Sequence, residues 1–534
     1  LLGVVGLVLL MVCANVGNLL LARATARSRE FALRAALGAS RARVLRQLLI
    51  ESAVLASIGG ALGLAMAWWS LSALRTLAPP GIPRLVELQL HAPVYLFDFA
   101  VSIVAGLVSG ALPALSADRG GLHDALKDDA RGTATGPRVR LRNGLMIAET
   151  ALGVVVLVGA GLLLRSFVLL ERQPIGFRPA NLLTLRVILP STRYAALDRR
   201  TAFYHEAFDR IGALPAVRSV SAISFLPLSF AGRTSGVSVE GQPPPAPGQL
   251  RFVDFRSVAP GYFRALSIPT LAGRDFAWSD TPDSRPVAVV SEQAARDLWP
   301  AADPIGRRLK LGSPDSRGPW LTIVGVVGNV RQLDLVSTPR PALYFPATQD
   351  QGAGETLRDW VVQTSNDPAA AAAAVRSAIW QIDPTLPVTR VQTMEQVHAA
   401  SFGREQFNVM LVGAFAIIAL ALAAVGLYGV TAYSISRRTR ELGIRLALGA
   451  TRFEVLALVI SQGAKLTLAG LAIGTIAALL MTQVMASLLY GIGPRDPMTF
   501  GGAALLLSSV ALLACYVPAR RATRVDPTIA LRAE

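Results

Sequence analysis

One charged motif occurs twice in this chain, and each copy follows a long apolar run. The copies occupy residues 29–41 and 440–452, so they lie 411 residues apart, and eight of their thirteen positions are identical. At the same offset two glycines of the next apolar stretch also recur: Gly59 and Gly63 correspond to Gly470 and Gly474. A repeat that continues into the next apolar stretch indicates a duplicated membrane module with a charged element between two spans.

The composition and the distribution of charge place the chain in a bilayer. Of its 534 residues 52% are hydrophobic and 16% are charged, and the mean hydropathy is +0.46. The net charge of +17 is concentrated in four short segments with 22 basic and 9 acidic residues: 22–46, 118–142, 431–456 and 518–534. All four flank apolar runs, which is the pattern of cytoplasmic loops. Aromatic residues do not alternate with these basic clusters, so the sequence does not indicate nucleic-acid binding.

The sequence predicts about seven membrane spans, because it contains nearly uncharged runs of about 20 residues. These runs are 1–21, 52–74, 99–117, 144–164, 407–433, 466–490 and 498–517. An odd number of spans places the two ends on opposite sides, with the arginine-rich C-terminus in the cytoplasm. The first repeat lacks the preceding span and large domain of the second. We therefore expect an incomplete copy of a longer protein, or a misassigned start.

The large polar region between the fourth and fifth spans, residues 171–403, carries 24 basic and 20 acidic residues. Long domains are translocated regardless of charge, so we expect this region outside the cytoplasm. The residue patterns predict strand, helix and strand over 182–189, 195–214 and 217–225, and the same order over 360–363, 369–382 and 388–391. The insert between these units, residues 237–345, is predicted to be a mostly β lobe. The predicted fold class is an α-helical transmembrane bundle with one large extracytoplasmic α+β domain.

Several phrases of the sequence resemble the FtsX/MacB superfamily of permeases, and most of all the duplicated ADOP permeases. They are residues 441–450 between two spans, the C-terminal stretch 518–531, Val258-Ala-Pro-Gly-Tyr-Phe263 and Asp303-Pro-Ile-Gly306. The likeness extends over essentially the whole chain, and it implies that the polar region is a MacB-like periplasmic core. The first repeat departs from the pattern at Phe31 and Ala32, where the second has Leu442 and Gly443.

The resemblance implies the membrane subunit of an ABC-type transporter in the cell (inner) membrane, with the ATPase on a separate cytoplasmic chain. A P-loop needs Gly-Lys, but Lys127, Lys310 and Lys465 follow Leu, Leu and Ala, so ATP is expected on the partner alone. The expected domains are a first FtsX-like module at 1–117, a cytoplasmic linker at 118–143, the first span of the second module at 144–168, the extracytoplasmic core at 171–403, the second module at 405–518 and a cytoplasmic tail at 519–534.

The repeated motif is the predicted contact with this ATPase. In a helix Glu441, Arg445 and Gly449 follow at four-residue spacing, and the small residues beside them permit close approach. The predicted coupling residues are Arg29, Glu30, Arg34, Gly38 and Ala39 in the first copy and Glu441, Gly443, Arg445, Gly449 and Ala450 in the second. The alternative is a helix that lies on anionic lipid headgroups through its arginines.

Other candidate sites are few. The four histidines are scattered without metal-ligand spacing, so the sequence predicts neither a metal site nor an enzyme. Cys13 and Cys515 fall in predicted spans and are interpreted as buried small residues. Glu149 is costly within a span. It is interpreted either as a proton relay or as a side chain that reaches the cytoplasmic interface, since it lies within two turns of Arg142.

Two functions remain open. The first is an ATP-coupled permease that exports peptides, lipids or small toxic molecules, with membrane lipids and an extracytoplasmic adaptor as further partners. The second is a non-transporting signalling or scaffold protein that activates an extracytoplasmic partner, as FtsX does. The polar linker 118–143 predicts that the two modules pair within one chain as a pseudo-dimer.

Overall fold

A computed structural model describes residues 1–26, 40–77, 91–117, 137–229, 231–243, 251–335, 337–349, 356–437, 444–445 and 448–522. The chain divides into two compact units, one with all the long helices and the other formed mainly by residues 170–404. The long helices are α1 (Leu2–Ala26), α2 (Arg41–Leu77), α3 (Ala92–Ala117), α4 (Pro137–Glu171), α10 (Gly403–Arg437), α11 (Arg452–Val484) and α12 (Pro497–Ala522), with α5 to α9 in the second unit.

The predicted spans are confirmed, because seven described helices are long and apolar enough to cross a membrane. Most of these helices extend beyond their apolar runs, since the arginines next to a run favour helix as well. Helix α11 begins at Arg452, well before the predicted start of the span at residue 466. It also ends earlier than predicted, at Val484, and a 3₁₀ turn over Ala486–Leu488 follows.

Helix α4 lies at the centre of the helical unit. Its residues Val154, Val156, Val158 and Leu162 are almost fully buried among side chains of α1, α10, α11 and α12. Two glycines of α11 allow the closest approach: a Cβ added at Gly470 would lie 2.5 Å from Thr150 Cβ, and one at Gly474 would lie 2.7 Å from the carbonyl oxygen of Ala151. These glycines therefore let α11 pack directly on the backbone of α4.

The first module packs through different glycines. A Cβ added at Gly106 of α3 would lie 2.5 Å from Ala56 Cβ, and one at Gly110 would lie 2.8 Å from Ser52 Cβ, so α3 packs closely on α2. Gly59 and Gly63 of α2, which match the glycines that contact α4 in the second module, have no described atom within 4 Å of an added Cβ. Among the described residues, the contact that Gly470 and Gly474 make with α4 is therefore seen in the second module only.

The second unit is built on an eleven-stranded sheet. In chain order the strands are β1 (Leu182–Val187), β2 (Val217–Ile223), β3 (Arg233–Val239), β4 (Arg251–Val258), β5 (Thr270–Gly273), β6 (Val287–Ser291), β7 (Arg308–Leu311), β8 (Leu321–Val327), β9 (Ala342–Pro346), β10 (Asp359–Thr364) and β11 (Val388–Thr393). The helices are α5 (Leu197–Gly212), α6 (Tyr262–Ala265), α7 (Glu292–Leu298), α8 (Pro368–Trp380) and α9 (Met394–Ser401).

One lobe of this unit is formed by the two predicted strand-helix-strand units. Strands β11, β1, β10 and β2 lie side by side, and α5 and α8 cover them. Trp360 is fully buried at the centre, with ring centroids 5.0 Å from Phe208 and 6.1 Å from Phe203. The prediction of a split α+β sheet is confirmed.

The other lobe is the β-rich insert. Strands β4, β3, β7, β8, β6 and β9 pair in that order, and β9 returns to pair in parallel with β4, so these six strands close into a ring. Val253, Leu309, Ile323 and Leu343 are buried in its core. A closed ring leaves few exposed strand edges, which protects the lobe from pairing with another chain.

Candidate coupling site

Part of the predicted coupling motif lies in the described residues. Arg445 and Gly449 are exposed, and Ala450 is half-buried. The other predicted coupling residues, Arg29, Glu30, Arg34, Gly38, Ala39, Glu441 and Gly443, lie outside the described residues. The site can therefore be built from the second copy only, from residue 444 to the start of α11.

Gly449 ends a helical turn with a Schellman motif. Its φ is +96°, in the left-handed region that glycine adopts without steric cost. The backbone N–H of Ala450 donates to the carbonyl of Arg445 across 2.9 Å, which is the six-residue bond of this motif. We predicted a small residue here for close approach, but the structure gives a different reason, since Gly449 has the backbone conformation that the turn requires.

The turn leads directly into α11 through a capping box. The Thr451 hydroxyl accepts from the backbone N–H of Glu454, and the Glu454 carboxylate accepts from the backbone N–H of Thr451 across 2.8 Å. Both bonds satisfy amides that the first helical turn leaves without partners. The first copy has Ser40 and Arg43 at these positions, so it lacks the carboxylate that the box needs. The second coupling turn is therefore fixed to a membrane helix.

Two large apolar side chains flank this turn. Leu448 is 82% exposed and Phe453 is 76% exposed. They lie among the exposed basic residues Arg445 and Arg452. Exposed apolar groups with charged neighbours form a surface suited to a partner protein or to the interfacial layer of a membrane.

A second polar site lies inside the helical unit. The Glu149 side chain is 2% exposed, and its carboxylate rests against Gly426 of α10 rather than reaching out of the bundle. The interpretation that Glu149 extends to the cytoplasmic interface is therefore wrong. Asn15 and Asn18 of α1 are each 4% exposed and lie beside the same part of α10. Sequence reasoning missed these two asparagines, although two amides three residues apart in an apolar run were the available signal.

A third polar cluster joins α4 to the start of α12. The Asp496 carboxylate accepts from the Thr499 hydroxyl across 2.6 Å and from its backbone N–H across 3.0 Å, and it also pairs with Arg165. The hydrogen bond from the Thr499 side chain is the main cause that lowers the pKa of Asp496. Nearby, the Ser166 hydroxyl accepts from the backbone N–H of Tyr490 across 2.7 Å.

These features define a multi-pass protein of the inner membrane, with a duplicated helical module and a large periplasmic domain. The FtsX-like permease C-terminal family matches the chain twice, over residues 2–117 and 413–527. The MacB-like periplasmic core domain family matches residues 144–379. The two families together match most of the chain, and they confirm the resemblance to the FtsX/MacB superfamily. The chain belongs to the FtsX/MacB-like permeases and is a membrane permease component.

Two curated relatives show the extent of the similarity. The chain is 27% identical over 410 residues to the macrolide export ATP-binding/permease protein MacB of Rhodospirillum rubrum, which covers 73% of the chain and 57% of that protein. It is 26% identical over 285 residues to the ABC transporter permease YknZ of Bacillus subtilis, which covers 51% of the chain and 68% of YknZ. The chain thus spans a little over half of the length of MacB.

Among solved structures, the periplasmic region of MacB from Actinobacillus actinomycetemcomitans is similar to 42% of the chain. The match covers 95% of that structure at 14% identity, with a TM-score of 0.28.

Proposed function

We propose that the chain is the membrane subunit of an ATP-driven ABC-type exporter or mechanotransmission complex. In this proposal a separate cytoplasmic ATPase binds the coupling motifs and moves the periplasmic core through the membrane modules. The R. rubrum relative is named as both ATP-binding protein and permease. The present sequence has no Gly-Lys for a P-loop, which supports an ATPase on another chain.

The observation that carries this proposal is the exposed pair Leu448 and Phe453 beside a conformationally fixed turn. A lipid contact requires no defined geometry, whereas a Schellman turn joined to a capping box holds both side chains in one arrangement. An arrangement fixed in advance lowers the entropic cost of binding a protein surface. The second coupling motif is therefore proposed to dock an ATPase rather than headgroups.

The two modules are proposed to act as a pair within one chain. The expected linker, residues 118–143, is a polar stretch with several glycines. Residues 137–143 of this stretch belong to α4, which begins at Pro137. A flexible coil of the remaining length, about 19 residues, would have a root-mean-square reach of roughly 22 to 26 Å, which is enough to let neighbouring membrane bundles meet. One chain would then present two coupling motifs to one ATPase dimer.

The test is ATPase stimulation in proteoliposomes that contain the full chain and an ABC ATPase that copurifies with it. We expect the double variant Leu448→Ser/Phe453→Ser to lose about tenfold in stimulation, because it removes the apolar contact and leaves the turn intact. The matched control is Leu271→Ser/Phe252→Ser, which changes two exposed residues of the periplasmic core.

Equal stimulation by the two double variants would refute docking through this surface. Binding of ATP by the purified chain alone would also contradict the proposal. The two functions, export and mechanotransmission, are then distinguished in the same vesicles. Export predicts ATP-dependent transport of candidate peptides, lipids or small toxic molecules across the membrane, and mechanotransmission alone predicts none.

A further inference from the structure

Helices α1 and α10 meet through faces that the internal repeat makes equivalent. At the offset of 411 residues, Asn15 corresponds to Gly426 and Asn18 to Gly429. All four residues line one cavity of about 20 Å³ between the two helices, and Arg142 of α4 lines it as well. Contact between equivalent faces is the arrangement that a two-fold pair of identical modules would have.

The asparagine side of this contact fits the glycine side. The Asn15 amide donates to the carbonyl oxygen of Leu422 across 2.8 Å. In a helix, the side chain of residue i+4 lies over the carbonyl of residue i. For the Leu422 carbonyl this residue is Gly426, which has no side chain. Gly426 therefore leaves the Leu422 carbonyl oxygen accessible, so that it can accept a second hydrogen bond in addition to the one within the helix.

Helix α4 completes the junction from a third side. A Cβ added at Gly426 would lie 2.9 Å from Glu149 Oε1 and closer still to Oε2. Real Cβ atoms do not approach oxygen this closely, so any side chain at residue 426 displaces the carboxylate. At Gly429 the neighbour is Leu19, whose Cδ2 would lie 3.8 Å from an added Cβ, an ordinary contact.

Neither face fits a copy of itself equally well. Two α10 faces would place glycine against glycine, with no amide to reach the open carbonyl and a void between the helices. Two α1 faces would bring asparagines from both helices together without the space that glycine leaves for their side chains. An α1 face turned to lipid would expose two amides to hydrocarbon, which is costly. The Asn15 and Asn18 face therefore needs the glycine face as its cover.

We infer that Asn15 and Asn18 on α1, with Gly426 and Gly429 on α10, form a matched contact that selects pairing of the two modules within one chain over pairing with a second copy. The inference deepens the proposed single-chain pair and names the residues that enforce it. Its partner surface is the other half of the same chain. The contact also encloses space for one water molecule, beside the Asn15 Oδ1 and both amide atoms of Asn18, which have no partner among the described residues.

The first experiment detects which helices meet in the full chain. Cys13 and Cys515 are replaced by Ala, and Leu19→Cys is combined with Val430→Cys, since both residues line the cavity. A short thiol cross-linker is expected to join the two cysteines within one chain, so the protein still runs as a monomer on a denaturing gel. After proteolysis between the modules, the two fragments should stay linked and migrate together. Val430→Cys alone is expected to give no linked dimer. Linked dimers from the single variant would overturn the inference.

The second experiment tests the match itself. Gly426→Ala is expected to lower the intrachain cross-linking rate at least tenfold, and adding Glu149→Ala should restore most of it, because the obstructing carboxylate is removed. The control is Gly413→Ala on the same helix, where an added Cβ has no described atom within 4 Å. If Gly426→Ala were as harmless as Gly413→Ala, the inference would fail.

A third variant tests the contact with a substitution that should not prevent folding. Gly429→Asn gives α10 an amide at the position of Asn18 and meets only Leu19, so the chain should still insert. It is expected to reduce intrachain cross-linking between cysteines placed at residues 19 and 430, and unchanged cross-linking would contradict the matched contact. None of these readouts involves the ATPase, so the pairing inference and the coupling proposal can fail separately.

Discussion

At the scale of single residues, Gly449 shows how the backbone rather than packing determines a residue of the candidate coupling site. Its φ of +96° forms the turn, and an added Cβ there would meet no described atom within 4 Å. The sequence motif alone suggested a need for small size. Alanine separates the two explanations, because it is small but enters the left-handed region only at a cost of about 1 to 2 kcal/mol.

We predict that Gly449→Ala lowers ATPase stimulation several-fold while membrane insertion and partner expression stay normal. Stimulation is measured in proteoliposomes and insertion by alkali extraction of membranes. Gly493→Ala is the control, since Gly493 has free space around it and no positive φ. Unchanged stimulation by Gly449→Ala would show that the turn tolerates strain and that the glycine is there for another reason.

Asp383 makes the periplasmic core sensitive to acid. Its carboxylate accepts from the Thr385 hydroxyl across 2.6 Å, from Arg193 across 2.7 Å and from the Tyr194 hydroxyl across 2.9 Å. The Thr385 side-chain bond is the main cause that lowers the pKa of Asp383 below its usual value. A lowered folded-state pKa adds stability above the unfolded pKa of about 4, and this contribution is lost as the pH falls toward the folded value.

We therefore predict that the core domain loses stability between about pH 4 and pH 2, and that Asp383→Asn loses less over this range. Thermal unfolding of the full chain, followed by tryptophan fluorescence, gives the dependence on pH. Asp315→Asn, at an exposed loop residue, should keep the wild-type slope. Equal slopes for wild type and Asp383→Asn would assign the acid sensitivity to other carboxylates.

At the scale of elements, one carboxylate both begins α12 and holds it to α4. Asp496 accepts two hydrogen bonds from Thr499 in the first turn of α12 and pairs with Arg165 of α4. We predict that Asp496→Ala destabilises the helical unit by about 1 to 2 kcal/mol, mainly through the lost N-terminal cap. Arg165→Gln should cost less, because that side chain is partly exposed and its ion pair is screened by solvent.

Detergent-solubilised protein, unfolded in a graded series of dodecyl sulfate, gives the order of stability. The expected order is wild type, then Arg165→Gln, then Asp496→Ala. The reverse order of the two variants would mean that the ion pair, and not the cap, holds the helix end.

The elements of this protein were largely predictable, whereas their partners were not. A span needs about 20 apolar residues, so local sequence alone indicates α1 or α12. The strand-helix-strand units follow from local periodicity in the same way. The parallel pairing of β4 with β9 joins strands far apart in the chain, and the contact of Glu149 with Gly426 joins two helices, α4 and α10, that the whole periplasmic core separates in sequence. Local sequence patterns do not encode contacts between residues that lie so far apart in the chain.

At the scale of the whole molecule, the sidedness of the core domain follows from charge. We predict that residues 171–403 are extracytoplasmic and that the arginine-rich loops are cytoplasmic. Ser313→Cys, on an exposed loop after β7, should react with a membrane-impermeant maleimide once the periplasm is accessible and the inner membrane is intact. Labelling that requires permeabilised inner membranes, with a cytoplasmic control cysteine behaving as expected, would reverse the topology.

The duplication predicts the stoichiometry of the assembly. If both modules pair within one chain, native mass spectrometry of the full-length complex should show one permease chain for each ATPase dimer. Two permease chains for each dimer would refute the single-chain pair.

The length of α11 has a mechanical consequence. The helix contacts α12 at Gly463, where an added Cβ would lie 2.5 Å from Cys515 Sγ, and it contacts α4 at Gly470 and Gly474. At 1.5 Å per residue, the arm from Arg452 to Gly463 measures about 17 Å and the arm from Gly474 to Val484 about 15 Å. A rigid rod held at these glycines would therefore transmit a displacement of its first turn to its far end at nearly the same size.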